Sequence, residues 1–398
     1  MTAPMTTPPS RTTAAPQPAP EPAGPGPVFA PAEANRANNF NLVRFLLATL
    51  VILSHSPELI DGDRHREILT RAFGTLSFGE LAVDGFFLLS GFLIVQSWQR
   101  RPVLGDFLTK RALRIYPGFI VAAFACTLIV GPLGSPDPGG FLASIHPVKY
   151  VASVLALQMP ALALAFPGWP YRSVNGALWT IAYEARSYLL VALLGWSGLA
   201  GRRWAWPAIA GVALFLAVSP VPIGRLAFRG SYWLYGEPET LMRLVAFFAA
   251  GACFYEFRAR IGYRAGRAAV AAALLAPCLL RPGTAQVGVA TLGAYVLFWF
   301  VFAPLPYLAK FRERPDISYG IYLYGWPMQK LLIYYIPGIS PWLVFVLAFL
   351  LAGGAGWLSW TFVEAPCLRW KRRATRDPGI PVATAAPVAA QRPLSGPA

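Results

Sequence analysis

The stretch Asn41-Leu-Val-Arg44-Phe-Leu-Leu-Ala-Thr-Leu-Val-Ile-Leu-Ser-His55 decides the fold of this chain. It is apolar enough to enter a bilayer, yet it carries a cation near its start and an imidazole at its end. On a helix, the eleven steps between Arg44 and His55 complete about three turns, so both side chains share one face about 16 Å apart. Ionisable groups at membrane depth cost about 2.5–3.5 kcal/mol each on insertion scales and usually belong to functional sites. In the alternative interpretation, Arg44 reaches the headgroups on one side and His55 lies at the other interface.

The composition is that of a polytopic membrane protein. Of 398 residues, 56% are hydrophobic and only 13% are charged, against about 25% charged residues in soluble proteins. The net charge of +16 comes from short basic clusters between apolar runs, which is typical of positive-inside loops and argues against nucleic-acid binding. Four cysteines without paired spacing predict neither a metal site nor a disulfide framework.

The hydropathy pattern predicts an all-α polytopic integral membrane protein with about ten transmembrane helices. Residues 1–36 are predicted to be a disordered Pro/Ala-rich tail, 37–368 the membrane domain, and 369–398 a basic, then Pro/Ala-rich, disordered tail. The predicted spans are 41–57, 77–98, 112–131, 176–198, 204–221, 240–257, 267–281, 285–305, 317–336 and 341–363. The run 148–166 is interrupted by polar residues, and counting it as a span would move the later basic clusters outside. We therefore expect it to be re-entrant or to lie at the outer face, with both termini cytoplasmic.

Two carboxylates lie well inside predicted spans and are candidate catalytic residues. Asp84 lies about 10 Å from the outer end of its helix, at a depth that His55 also reaches. We expect Asp84 to contact His55, because a carboxylate that holds one imidazole nitrogen raises the basicity of the other. Glu184 reaches mid-depth in a later span, and Tyr188 lies one turn further along the same face. Arg186, on the opposite face, has no evident partner.

Other side chains suggest ligand contacts, each with a simpler alternative. Arg111 and Arg114 are i,i+3 neighbours whose guanidinium groups suit a polyphosphate, although any cytoplasmic loop is basic. Ser90 could support the site or, with Gly91, only allow close helix approach. Asn175 and Trp179 could support the site or only cap and anchor their helix. We expect the loop 58–76, which includes Glu58, to be exposed and self-paired, and Glu364 to pair with the nearby basic tail.

Together these stretches resemble the acyltransferase-3 family of integral-membrane acyltransferases. The resemblance covers residues from about 40 to 367. Its motifs are Arg44 with His55, Val83-Asp84-Gly-Phe-Phe with Ser90-Gly91-Phe-Leu-Ile, Arg111-Ala-Leu-Arg114-Ile-Tyr-Pro117, Asn175-Gly-Ala-Leu-Trp179 with Glu184 and Tyr188, Ser318-Tyr-Gly-Ile-Tyr-Leu, and Glu364-Ala-Pro366. Gly325 departs from the pattern, because the family often has a histidine there. The chain resembles the stand-alone form of the family, without an appended hydrolase-like domain.

The resemblance implies transfer of an acyl group, commonly acetyl, from cytoplasmic acyl-CoA to a hydroxyl of a carbohydrate or glycolipid. Acyl-CoA would be a co-substrate, with no bound cofactor or metal, and the location would be a bacterial inner membrane. Arg44, Arg111 and Arg114 would bind the donor. His55, oriented by Asp84 or Glu184, would act as general base or carry the acyl group, and Tyr188 could stabilise the oxyanion.

Two other classes of protein fit some of these features. A proton-coupled transporter of a sugar-like or small organic solute could use the same ionisable groups as a relay, although no inverted repeat is evident. A purely structural scaffold would not need several ionisable groups at membrane depth. A transporter would move an intact solute, whereas the enzyme would release free thiol when an acceptor is present.

Overall fold

The protein is described by a computed structural model that covers residues 38–158, 162, 165–219, 236–308, 311 and 314–374. Among these residues all regular structure is helical, which confirms the predicted all-α class. Each of the ten predicted spans coincides with a helix. The predicted tails lie outside the described residues, apart from the start of the second, where the last helix continues to Ala374.

The long helices are numbered in chain order. They are α1 (Phe40–Asp61), α2 (Phe78–Arg100), α3 (Leu104–Ala125), α4 (Pro147–Leu155), α5 (Trp179–Trp196), α6 (Ala205–Val218), α7 (Pro238–Glu256), α8 (Ala265–Cys278), α9 (Ala294–Phe302), α10 (Ser318–Tyr335) and α11 (Pro341–Ser359). Three π-helical segments extend them: Cys126–Val130 follows α3, Val289–Gly293 joins Pro282–Gly288 to α9, and Trp360–Glu364 joins α11 to Ala365–Ala374. Short helices at Ile68–Phe73 and Pro138–Ala143 lie in the connections.

Within the described ranges, six helical segments are long and apolar enough to cross a membrane. They are Phe40–Asp61, Phe78–Arg100, Leu104–Leu133, Gly176–Trp196, Pro282–Phe302 and Pro341–Arg369. The helices α6 and α8 are apolar but have only 14 residues each, or about 21 Å. The chain is therefore a helical protein with several candidate spans, and the count of about ten stays a prediction.

The run 148–166 does not form one long helix in the described residues. Its helix α4 has nine residues, about 13 Å, which is less than half of a typical 30 Å hydrocarbon core. The backbone then turns at Leu157, which adopts a positive φ of 57°. This short helix agrees with the prediction that the run does not span.

Glycines set the closest contacts between helices. A Cβ added to Gly91 of α2 would lie 1.8 Å from the carbonyl oxygen of Phe248 in α7, and one added to Gly251 would lie 2.0 Å from that of Leu88. The two backbones therefore touch, as the small residue at position 91 suggested. A Cβ added to Gly320 of α10 would lie 2.4 Å from the Cα of Gly356 near the end of α11, so these backbones are also in close contact.

Candidate active site

A cavity of about 360 Å³ lies among α1, α2, α3, α5 and α10. Its lining includes three arginines and Lys110 together with apolar side chains such as Val83, Phe86 and Phe87. The predicted site residues that line it are Arg44, Ser90, Arg111, Arg114, Glu184 and Tyr188. The fold therefore brings six of the ten predicted residues, from four different helices, to one cavity.

Two of the three arginines are held by carboxylates. Asp316 Oδ2 accepts hydrogen bonds from Arg44 Nη1 at 3.0 Å and from Arg114 Nη2 at 3.1 Å. Arg114 Nη1 also donates to Glu364 at 3.1 Å, and Ser359 donates to the other Glu364 oxygen. Burial would raise the pKa of Asp316, but Arg114 and Arg44 outweigh it and hold that pKa below its ordinary value.

Glu364 corrects one prediction. It was expected to pair with the basic residues that follow it, but its carboxylate is buried and turns to Arg114, 250 positions away in the sequence. The π-helical segment Trp360–Glu364 ends at this residue. Such a segment changes the direction in which the next side chains point.

Arg111 differs from its two neighbours, because no carboxylate pairs with it in the described part of the chain. Its guanidinium lies 5.8 Å from the ring centres of both Phe107 and Tyr188. Its Nη2 makes one long hydrogen bond of 3.4 Å to Ser97, and its Nε is buried without a partner. Of the cavity's three arginines, this one is the most available to an anionic ligand.

Glu184 forms a small polar cluster on the wall of the cavity. Its Oε1 accepts hydrogen bonds from Ser90 at 3.1 Å and from the hydroxyl of Tyr188. The expected alignment of Glu184 and Tyr188 on one helix face is confirmed. The prediction that Glu184 could orient His55 is wrong, because His55 has a different partner and does not line this cavity.

His55 is held by Glu58, three residues further along α1. Its Nδ1 lies 3.0 Å from Glu58 Oε2, and its side chain is 18% exposed. Glu58 Oε1 accepts hydrogen bonds from Arg64 at 2.8 Å and from the hydroxyl of Tyr171. Burial and the bond to Glu58 raise the pKa of Tyr171 to about 12, so Tyr171 stays a donor at neutral pH. These contacts orient the imidazole through Nδ1 and leave Nε2 for chemistry.

The predicted contact between Asp84 and His55 is wrong. Asp84 is buried and accepts a hydrogen bond of 3.0 Å from Arg243 Nε of α7. The prediction that Asp84 needs a partner is confirmed. The partner was wrong because hydropathy does not fix the rotation of α2 about its axis. Arg243, from the predicted span 240–257, pairs with Asp84 in place of His55.

Asn175 and Trp179 lie away from the first cavity. The Asn175 side chain accepts from the Ala177 amide at 3.2 Å and donates to the Leu323 carbonyl at 2.8 Å, so it has the capping role that was one of its two interpretations. Trp179 is 43% exposed and lines a second cavity. At the family's frequent histidine position, a Cβ on Gly325 would lie 2.8 Å from Ile52 of α1, so a larger residue would require Ile52 to move.

Trp326 and Tyr322 lie between His55 and the first cavity. The Trp326 ring packs edge-on against His55 with ring centres 4.9 Å apart. One turn away along α10, Tyr322 lines the cavity, and its hydroxyl bonds to Thr180 and to the Ala177 carbonyl. The arginines therefore line the cavity and the histidine lies outside it, with Tyr322 on the cavity wall and Trp326 against the imidazole.

Comparison with known proteins identifies the family. The family model described as an acyltransferase domain matches residues 38–361. The chain belongs to the acyltransferase-3 family. This acyltransferase is similar to an O-acetyl transferase of Shigella phage Sf6, with 26% identity over 75% of this chain and 86% of the relative. It is also similar to nodulation protein 10 of Rhizobium leguminosarum bv. viciae, with 26% identity over 83% of this chain and 93% of the relative. No solved structure matches.

Three functional candidates of this acyltransferase were missed by sequence reasoning: Glu58, Asp316 and Arg243. Glu58 was assigned to an exposed loop because the apolar run ends before it. The signal for a longer helix was Gly62, which adopts φ 82° and donates its amide to the Glu58 carbonyl as a C-cap. Asp316 and Arg243 had no comparable signal, because their partners are 159 to 272 positions away.

Proposed function

We propose that this acyltransferase moves an acyl group, acetyl by preference, from acyl-CoA to a hydroxyl of a carbohydrate or glycolipid acceptor. It would act in a bacterial inner membrane, with both termini and the arginine-lined cavity open to the cytoplasm. The main observation in support is that the arginines of the donor and catalytic motifs line one cavity, and that a histidine held by Glu58 lies next to it behind Tyr322 and Trp326. The relative named O-acetyl transferase supports the choice of acetyl.

The first cavity is the donor site in this proposal. Arg111 binds a phosphate of coenzyme A, because it is the cavity arginine without a carboxylate and a guanidinium pairs well with phosphate oxygens. Arg44 and Arg114 contribute the surrounding positive potential while Asp316 and Glu364 hold them in place. Glu184, with Ser90 and Tyr188, lies further along the same cavity and positions the amide-bearing arm of the donor.

The acyl transfer itself takes place at His55. Glu58 keeps the Nδ1 proton and the ring orientation, and Nε2 accepts the proton of the acceptor hydroxyl. The hydroxyl oxygen then forms a bond to the thioester carbonyl carbon, and the carbon–sulfur bond breaks. The thiolate takes the proton from the imidazolium, so free coenzyme A and the ester leave with His55 restored. Glu58 stabilises the imidazolium between these two steps.

The two aromatic side chains between cavity and histidine define the path of the thioester. Tyr322 and Trp326 must turn aside for the acyl carbon to approach Nε2, which requires the Tyr322 hydroxyl to release Thr180 and the Ala177 carbonyl. These are side-chain movements on α10. In this mechanism, the conformational step of the reaction is the rotation of the Tyr322 side chain.

The test uses purified protein in lipid nanodiscs with radiolabelled acetyl-CoA, and measures donor binding, label transfer and thiol release. His55→Ala should abolish label transfer and thiol release while donor binding remains. Arg111→Ala should weaken donor binding at least about tenfold, from the loss of a hydrogen bond to a charged group. His65→Ala, at an exposed histidine of the next loop, is the matched control and should behave as wild type. Wild-type transfer by a folded His55→Ala variant would refute the proposal.

A further inference from the structure

A second cavity, of about 290 Å³, lies on the opposite face of α5 from the first. Glu184 and Tyr188 line the first cavity, and Trp179, Tyr183 and Arg186 line the second. The split follows from helix geometry, because positions 184 and 186 are about 200° apart around the axis. The donor site proposed above does not use this second cavity.

Arg186 is the unusual residue of the second cavity. Its Nη1 is buried without a hydrogen-bond partner, and no carboxylate pairs with it among the residues that the structure describes. Its guanidinium instead lies 4.8 Å from the ring centre of Tyr183, one turn towards the start of α5. The residue as a whole is partly exposed, and a guanidinium at a cavity wall without an anionic partner is available to an anionic ligand. An anion that entered the cavity would supply the missing partner.

The second cavity is close to His55 but on a different side from the donor. Ser173 and Gly176 line it, and both contact Trp326: the Ser173 carbonyl accepts from the indole nitrogen at 3.3 Å, and Gly176 packs against the ring. The same ring packs against His55 with ring centres 4.9 Å apart. One indole therefore separates the cavity from the imidazole. A ligand in this cavity could bring a hydroxyl to His55 without crossing the donor site.

The remaining wall has the chemistry of a carbohydrate site. Gln158 and Ser173 provide polar groups, and the half-exposed Trp179 packs edge-on against Tyr183 with ring centres 5.6 Å apart. Amphipathic aromatic rings with a few placed polar groups are typical of small-ligand sites. Arg186 adds one positive charge to this surface.

We propose that the second cavity is the acceptor subsite, in which Arg186 binds an anionic group, phosphate or carboxylate, and Trp179 packs against the sugar. The acceptor is then an acidic or phosphorylated carbohydrate, either free or carried by a lipid. The identity of this ligand as the acceptor rests on the function proposed above. The binding of an anion at Arg186 does not.

The experiment measures binding of dodecyl phosphate, glucose 1-phosphate and the neutral probes dodecyl maltoside and glucose to the full-length protein in nanodiscs of zwitterionic lipid. At least one anionic probe should bind more tightly than its neutral counterpart. Arg186→Gln should weaken the binding of that probe at least about tenfold. Arg281→Gln, at an exposed arginine, is the matched control. If the binding of dodecyl phosphate depends on Arg186, the acceptor is carried by a lipid. If only the binding of glucose 1-phosphate depends on Arg186, the acceptor is free.

A second variant and a second readout keep the test decisive. Trp179→Ala leaves Arg186 in place and should weaken the binding of glucose 1-phosphate severalfold, whereas the binding of dodecyl phosphate, which has no sugar, should change little. Binding by a folded Arg186→Gln variant that equals wild type, or failure of both anionic probes to bind, overturns the subsite. His55→Ala should keep Arg186-dependent binding. If that variant also keeps acyl transfer, the proposed function fails while the anion site stands on its own measurement.

Discussion

The substitution Glu58→Gln tests the assignment of the base most directly. It keeps the size and shape of the side chain but removes the charge that faces His55 Nδ1 at 3.0 Å. The neutral amide cannot stabilise an imidazolium as the carboxylate does. Arg64 loses its charged partner in this variant, but its side chain is 55% exposed. Because water can solvate it, the fold should not be strongly destabilised.

The size of the effect follows from the bond that is lost. A hydrogen bond to a charged group contributes about 1.5–3 kcal/mol. If this contribution is made only when the imidazole carries the proton, kcat should fall by about 10- to 150-fold. The KM for acetyl-CoA should change little, because Glu58 lies outside the donor cavity.

The assay is acceptor-dependent thiol release in nanodiscs, with folding checked by thermal unfolding. Glu80→Gln is the matched control, because Glu80 also faces Arg64, at 3.9 Å, and forms no pair with His55. Its glutamine can still complete the capping box of α2. A folded Glu58→Gln variant with kcat within twofold of Glu80→Gln would refute the assignment of Glu58 as the orienting carboxylate.

The other predictions concern donor binding and stability. Arg111→Ala should raise the KM for acetyl-CoA about tenfold or more with little change in Tm. Arg114→Ala leaves a buried carboxylate unpaired and should lower the stability by about 3–5 kcal/mol. Equal Tm values of the two variants would contradict this difference. Because the folded pKa of Asp316 is lowered, its stabilising contribution is complete above its unfolded pKa, near 3.9, and is lost as pH falls through the folded value. The Tm of wild type should therefore drop more steeply below about pH 4 than that of Asp316→Asn. Gly91→Ala places a methyl group 1.8 Å from the Phe248 carbonyl oxygen and should cost about 1–3 kcal/mol or more, and an unchanged Tm would contradict the close helix contact.

Sequence reasoning predicted the helices and most of the first cavity, because both depend on residues that are close together in the sequence. An apolar run predicts a helix, and the spacing of Glu184 and Tyr188 fixes their common face. The arginines at 44, 111 and 114 were grouped through their common side of the membrane and the family resemblance, and the cavity contains all three.

The carboxylate partners were much harder to predict. Hydropathy gives the depth of Asp84 in a span but not the rotation of α2, so His55 and Arg243 were equally possible partners by depth. The rotation of α2 is set by packing, above all by the contact of Gly91 with α7. The contacting residues of the two helices are about 159 positions apart in the sequence, so no local pattern reveals their pairing. Glu58 was missed for a different reason: the helix end was placed where the apolar run stops, whereas the Gly62 cap lets α1 continue through Asp61.

The glycine contacts between α2 and α7 also limit how the protein can move. If either helix slid along the other by one residue, Ser90 or Phe92 would have to occupy a space in which a single hydrogen fits, and the two backbones would be forced apart. Gly320 imposes the same restriction where α10 meets the end of α11. The pairs α2–α7 and α10–α11 therefore each have one register, and sliding within either pair would separate its backbones. In the proposed function, the thioester arm therefore reaches His55 by rotation of individual side chains and not by sliding of these helices.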